Sequence, residues 1–184
     1  MPMRQVYFRF YAELNELLPP TKRGSCFVHG FDTATSVKDG IEALGVPHTE
    51  IGLILINGEP VDFSCPLNDG DRISVCPIFR SLDINLLMRV RPEFKGERCF
   101  VLDNHLGKLA AYLRMLGFDS LYRNDYRDEE LARISANQQR TLLTRDRGLL
   151  KRSIVIHGYL VHDPRQGSRV HELHDRVVTQ GCVE

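Results

Sequence analysis

The hydrophobic rhythm of this chain changes once, near residue 99, and that change constrains the fold more than any other feature. Before it, short apolar runs are separated by tight-turn chemistry. Asn57-Gly58, between the apolar run Ile51 to Ile56 and Glu59-Pro60-Val61, is a two-residue hairpin signal, and Asn68-Asp69-Gly70-Asp71 is a second tight turn. After it, short apolar runs alternate with segments of helical period, the pattern of an α/β sheet. A chain of 184 residues is long enough to hold both patterns as two small domains.

The first pattern reads in order. Val6-Tyr7-Phe8-Arg9-Phe10-Tyr11 is an aromatic-rich strand, Pro19-Pro20-Thr21-Lys22-Arg23-Gly24 a loop, and Ser25 to Gly30 a second strand, so the two are expected to pair as a hairpin. Ser36 is placed to N-cap a helix whose apolar stripe is Val37, Ile41 and Leu44; Gly45 ends it and Pro47 bars its continuation. Ile51 to Ile56 and Arg72-Ile73-Ser74-Val75-Cys76 are the remaining long strands. The order ββαββ predicts an α+β unit of the β-grasp type over residues 1–79.

The words of this half resemble the ubiquitin-like sulfur-carrier proteins. They run from Val37-Lys38-Asp39 to Leu44-Gly45-Val46-Pro47, then Gly52 to Val61, then Leu67 to Val75. Sulfur carriers act through a free C-terminal Gly-Gly. Here the last strand runs into Pro77-Ile78-Phe79-Arg80 and the chain continues, so binding or scaffolding, with a possible protein partner, is expected instead of sulfur transfer. Residues 80–98, broken by Pro92 and Gly96, read as a connector.

The second pattern, residues 99–184, predicts a central, mostly parallel sheet. Strand 99–102 leads into a helix from about Asn104 to Leu116, with Leu106, Leu109, Ala110, Leu113 and Leu116 as its apolar stripe and Gly117 at its end. Strand 119–122, helix 129–138, strand 140–144 and a short helix 147–152 follow. One or two strands are expected between Ile154 and Val161, and a helix over 168–178.

Three aspartates lie just past strands: Asp103, Asp128 and Asp146. If the strands are parallel, all three reach the carboxyl-end edge, where open α/β sheets bind ligands. Converging hard oxygen ligands suit Mg²⁺ or Mn²⁺. Each acid has a competing role. Asp103 and Asp146 each precede a helix and can cap it, Asp128 opens a helix, and Glu129 can take the place of Asp128 as a ligand. Lys108, Arg114 and Arg145 are candidate phosphate contacts, with surface ion pairing as the alternative. His105 can serve as a ligand or proton shuttle, or simply occupy the first helical turn.

These segments also resemble a family, the PIN-like RNases of the Mut-seven C-terminal type. The matching words are Phe100-Val101-Leu102-Asp103, Leu106 to Asp119, Asp128-Glu129-Glu130-Leu131, and Arg140 to Asp146. Bacterial members often join a ubiquitin-like domain to this one. The resemblance implies a PIN-like α/β fold, a divalent-metal site and ribonuclease activity on RNA. Two departures are visible. Relatives often carry another acid two residues after the Thr-x-Asp aspartate, where this chain has Gly148. Longer members end in a zinc ribbon with paired cysteines, whereas Gly181-Cys182-Val183-Glu184 offers one cysteine, so no ribbon is expected.

Composition narrows the setting. The formal net charge of zero hides an asymmetry: residues 1–79 carry 6 Lys/Arg against 10 Asp/Glu, net −4, and residues 80–184 carry 18 against 14, net +4. The basic half is the half with the three aspartates, as a polyanionic substrate would want. Five cysteines without a Cys-x-x-Cys predict no disulfide framework, with Cys26, Cys76 and Cys99 as core residues and a cytoplasmic location. No signal peptide is read at Met1-Pro2-Met3-Arg4, and no apolar run approaches the roughly 20 residues of a membrane span. The reading is a β-grasp module joined to a PIN-like nuclease module that uses Mg²⁺ or Mn²⁺ to hydrolyse RNA. Its rival is a non-catalytic RNA- or protein-binding adaptor in which the acids cap helices.

Overall fold

The computed structural model describes residues 4–31, 33–78 and 99–161. The connector 80–98, the helix read over 168–178, His162, His171, His174 and Cys182 lie outside the described residues. The chain divides into two compact units, Met1–Glu93 and Phe94–Glu184.

In the first unit, strands β1 (Arg4–Phe10), β2 (Phe27–Phe31), β3 (Ile51–Ile56), β4 (Glu59–Val61) and β5 (Arg72–Pro77) form one sheet in the order β2-β1-β5-β3-β4. β1 runs parallel to β5 and every other pair is antiparallel, which with helix α1 (Val37–Ala43) makes the predicted β-grasp. β1 and β2 do pair, but not through a tight hairpin. Short 3₁₀ turns at Ala12–Leu17 and Pro20–Lys22 fill the connection, and the first buries Leu14 and Leu17. Ser36 caps α1 as read: its hydroxyl accepts from the Asp39 amide at 3.1 Å. Asn57 (φ 53°) and Gly58 (φ 92°) are both left-handed, as a type I′ hairpin turn requires. The two predicted turns are locked together by Asp71. Its buried carboxylate accepts from Asn57 Nδ2 at 2.8 Å and from the Asn68 amide at 2.8 Å.

In the second unit, β6 (Phe100–Leu102), β7 (Ser120–Tyr122), β8 (Thr141–Thr144) and β9 (Gly158–Leu160) form a fully parallel sheet in the order β7-β6-β8-β9. Helices α2 (Gly107–Met115), α3 (Asp128–Asn137) and α4 (Arg147–Leu150) connect them. Every residue of β6 and β8 is buried, as in a parallel sheet covered on both faces. This is the α/β, PIN-like architecture. Of the one or two strands expected between Ile154 and Val161, one forms, Gly158–Leu160. Two local expectations change. The first turn before α2 is 3₁₀, at Asn104–Leu106, and the end of its apolar stripe, Leu116, is 43% exposed. Cys26 is exposed and Cys76 and Cys99 are half-buried, so none is a fully buried core residue; Cys26, Cys65, Cys76 and Cys99 are free thiols.

Candidate functional site

The strand order sets where a ligand can sit. The chain leaves β6 towards β7 on one side, then returns to place β8 on the other side of β6. Connections diverge at such a pair, and the crevice beyond its carboxyl ends is the binding position of open α/β sheets. Asp103 follows β6 directly, and Asp146 lies two residues beyond the end of β8.

Thr144 ties the two together. Its buried hydroxyl donates to Asp103 Oδ2 at 2.7 Å and accepts from the Asp146 amide at 2.9 Å. The Asp103 amide in turn donates to the Leu143 carbonyl at 3.0 Å, continuing the sheet ladder to its edge. Asp103 is only 7% exposed, and its side chain does not cap the 3₁₀ turn that follows. Its Oδ1 makes no hydrogen bond among the described residues. Asp146 is exposed and does cap: Oδ1 accepts from the Gly148 amide at 2.7 Å, and Oδ2 makes no hydrogen bond among the described residues. A Cβ at Gly148 would meet Asp146 Oδ1 at 3.2 Å, so an acidic side chain there would press on Asp146.

Two neighbours complete the site, and sequence reading passed over both. Asn104 Oδ1, in the residue after Asp103, is buried with no hydrogen-bond partner among the described residues. Tyr122 donates to the Asn104 carbonyl at 2.9 Å, and its ring lies so close to Gly107 that a Cβ there would meet Tyr122 Oη at 2.7 Å. Gly107 is therefore a close-approach glycine.

The other predicted residues divide. Lys108, near the start of α2, and Arg145, between Thr144 and Asp146, are exposed at the same edge of the sheet. Arg114 is not at that edge. Its Nε donates to the Ser120 carbonyl at 2.9 Å, at the amino end of β7, because α2 has carried the chain back across the sheet. Arg140 lies at that same far end, with Nη2 2.6 Å from Asp119 Oδ2 and Nη1 reaching the Phe100 carbonyl, and it holds the Asp119 carboxyl below its ordinary pKa. Asp128 is the first residue of α3 and exposed; Arg127 is the N-cap, without a side-chain cap bond. Glu129 is paired with Arg152 at 3.1 Å, which depresses its pKa. His105 is exposed in the 3₁₀ turn.

Among the described residues, no group of three or more His, Cys, Asp or Glu side chains could hold a metal ion. The expected three-acid convergence with Asp128 or Glu129 is thus not formed. The observed donors still suit a hard cation. Among the described residues, Asp103 and Asp146 each have one carboxylate oxygen without a hydrogen bond, and Mg²⁺ is commonly held by one or two carboxylates, its other positions left to water and phosphate.

Among the described residues, no helix is long and apolar enough to cross a membrane. No curated protein matches the chain. Residues 3–83 match the Mut7-C ubiquitin family and residues 98–183 match the Mut7-C RNAse domain family. The protein therefore belongs to the Mut7-C ubiquitin family through its first unit and to the Mut7-C RNAse domain family through its second.

Proposed function

We propose that the second unit is a ribonuclease that hydrolyses RNA phosphodiester bonds, with Asp103 and Asp146 as ligands of Mg²⁺ or Mn²⁺. The observation that carries this reading is the hydrogen-bonded sequence Asp103–Thr144–Asp146 at the β6/β8 crevice. A divalent ion bound there supplies an acidified water and offsets charge on the scissile phosphate. The protein's own part is positional. Thr144 fixes the Asp103 carboxylate and the Asp146 backbone in one geometry, so neither must reorganise when substrate arrives. Arg145 and Lys108 give the edge two exposed cations for RNA phosphates.

A second reading has one observation in its favour. Asp146 caps α4 through the Gly148 amide, the structural role expected of it in a non-catalytic RNA- or protein-binding adaptor. Cleavage of mixed RNA in Mn²⁺, beside an EDTA control and the Asp103→Asn variant, separates the two. The nuclease reading expects cleavage by the native protein alone in Mn²⁺. Equal cleavage by Asp103→Asn, or none by the native protein, favours the adaptor.

A further inference from the structure

The first unit carries a surface that the nuclease reading does not use. Along β1 the side chains alternate: Val6, Phe8 and Phe10 are buried, while Gln5, Tyr7 and Arg9 are exposed on the opposite face. Tyr11 extends that face, its backbone still extended and its amide bonded to the Val75 carbonyl. Cross-strand register builds the rest. Tyr7 stands opposite Val28 of β2 and Arg72 of β5, and Arg9 stands opposite Ser74, which faces Leu55 of β3. Tyr7 and Tyr11 are each 39% exposed and Val28 50%. The Arg9 guanidinium lies over the Tyr11 ring at 5.2 Å.

Two features decide what fits this face. It presents two tyrosines four residues apart on one face, with arginines between and beside them, and its described residues include no carboxylate, although the first 79 residues are net acidic. Three of the ten acids are engaged by the fold: Asp69 accepts from the Gln5 amide near the start of β1, Asp71 is buried in the turns, and Asp39 sits at the α1 cap. An exposed sheet with aromatic rings for unpaired bases and guanidinium groups for phosphates has the chemistry that binds single-stranded RNA. A protein partner drawn to a hydrophobic patch would leave the two arginines without a matching charge.

We infer that this face, through Tyr7, Tyr11, Arg9 and Arg72, binds single-stranded RNA. Tyr7 and Tyr11 stack bases, Arg72 and Arg9 contact the backbone, and Arg9 holds the Tyr11 ring in place. The binding needs no metal and no cleavage, so it stands or falls apart from the nuclease site. The same chain then has one RNA contact on each unit, and a cleaved strand can stay attached through the first.

The test uses the full chain in EDTA, with a fluorescent oligouridylate as probe and anisotropy as readout. Tyr7→Ala with Tyr11→Ala is expected to raise Kd by about tenfold per lost stack. Tyr7→Phe with Tyr11→Phe keeps both rings and is expected to stay within about twofold of native, so an effect of Ala alone is not a folding defect. Arg72→Gln is expected to lower the log–log salt slope by about 0.7, one single-strand phosphate contact. Ultraviolet crosslinking of the oligouridylate is expected to mark peptides holding Tyr7 or Tyr11. A duplex competitor as effective as the single strand overturns the inference. So does an affinity unchanged in the double Ala variant, which leaves the face to a protein partner. Loss of cleavage in Asp103→Asn with the anisotropy unchanged supports both sites, because it separates them.

Discussion

Asp71 in the first unit and Asp103 in the second are buried to the same degree, each 7% exposed, yet they are used differently. Asp71 has a donor on each oxygen, from the Asn57 side chain and the Asn68 amide, and so joins two turns. Among the described residues, the Asp103 carboxylate has one donor, Thr144, on one oxygen, and Oδ1 of the following residue, Asn104, has none. A buried carboxylate is costly unless paired. A donor on each oxygen makes Asp71 a structural lock; the single donor on Asp103 leaves the oxygen that the proposed metal site would use. Burial alone does not distinguish the two aspartates, whereas the count of donors does.

The sharpest way to break this contrast is to neutralise each acid. Asp103→Asn is expected to lower the cleavage rate by about 10³-fold, the loss typical of one pre-oriented electrostatic group, with little change in stability. Asp71→Ala is expected to do the reverse, costing about 3 kcal/mol in denaturant unfolding for two charge-assisted bonds and leaving cleavage per folded molecule intact. If both variants lose stability equally, Asp103 is a second structural lock and the contrast fails.

Thr144→Val probes the link itself. It strips one donor from Asp103 and one acceptor from the Asp146 amide in a fully buried position, and about 2 kcal/mol of stability should go with them. Cleavage should fall as well, since both proposed ligands lose their alignment. A variant that loses stability and keeps full activity would assign Thr144 to folding only. Ser36→Ala, at the α1 cap far in sequence from that chemistry, is expected to cost about 1 kcal/mol with no effect on cleavage.

Acid titration gives the smallest effect. Arg140 holds the Asp119 carboxyl below the ordinary carboxylate range, so the folded pKa lies under the unfolded one. The pair's contribution is present above about pH 4 and is lost as pH falls through the depressed folded pKa. Asp119 is exposed, so the loss is small and screened by salt. The pH dependence of unfolding below pH 4 in Asp119→Asn, compared with native, measures it; identical curves would show that the pair contributes nothing.

Much of the molecule was legible because its signals are local. Asn57-Gly58 needs two left-handed residues and little else, and Ser36 caps a helix through an amide three residues on. Asp103 and Asp146 reached one edge because the parallel strands could be read from their apolar runs. The misplacements all concern side chains whose partners lie on other elements. Arg114 sits in the same motif as Lys108, yet a helix of nine residues carries it to the opposite end of the sheet. Asp128 and Glu129 were read as ligands, but Glu129 found Arg152 on the chain after α4 and Asp128 became an exposed first helical residue.

The sequence by itself determined the two-unit division, the turns, the helices and strands with their approximate boundaries, and the placement of Asp103 and Asp146 beyond parallel strands. Periodicity, capping and turn chemistry act over a few residues and leave their mark in the order of the letters. Only the tertiary structure decided that β8 lies beside β6, that Thr144 bridges the two aspartates across 41 residues of chain, and that Asn104 Oδ1 has no hydrogen-bond partner among the described residues. It likewise decided that Tyr7, Arg9 and Arg72 share one open face. Hydrogen bonds and shared faces depend on distances in space, and a linear pattern carries those only after the sheets have chosen their neighbours.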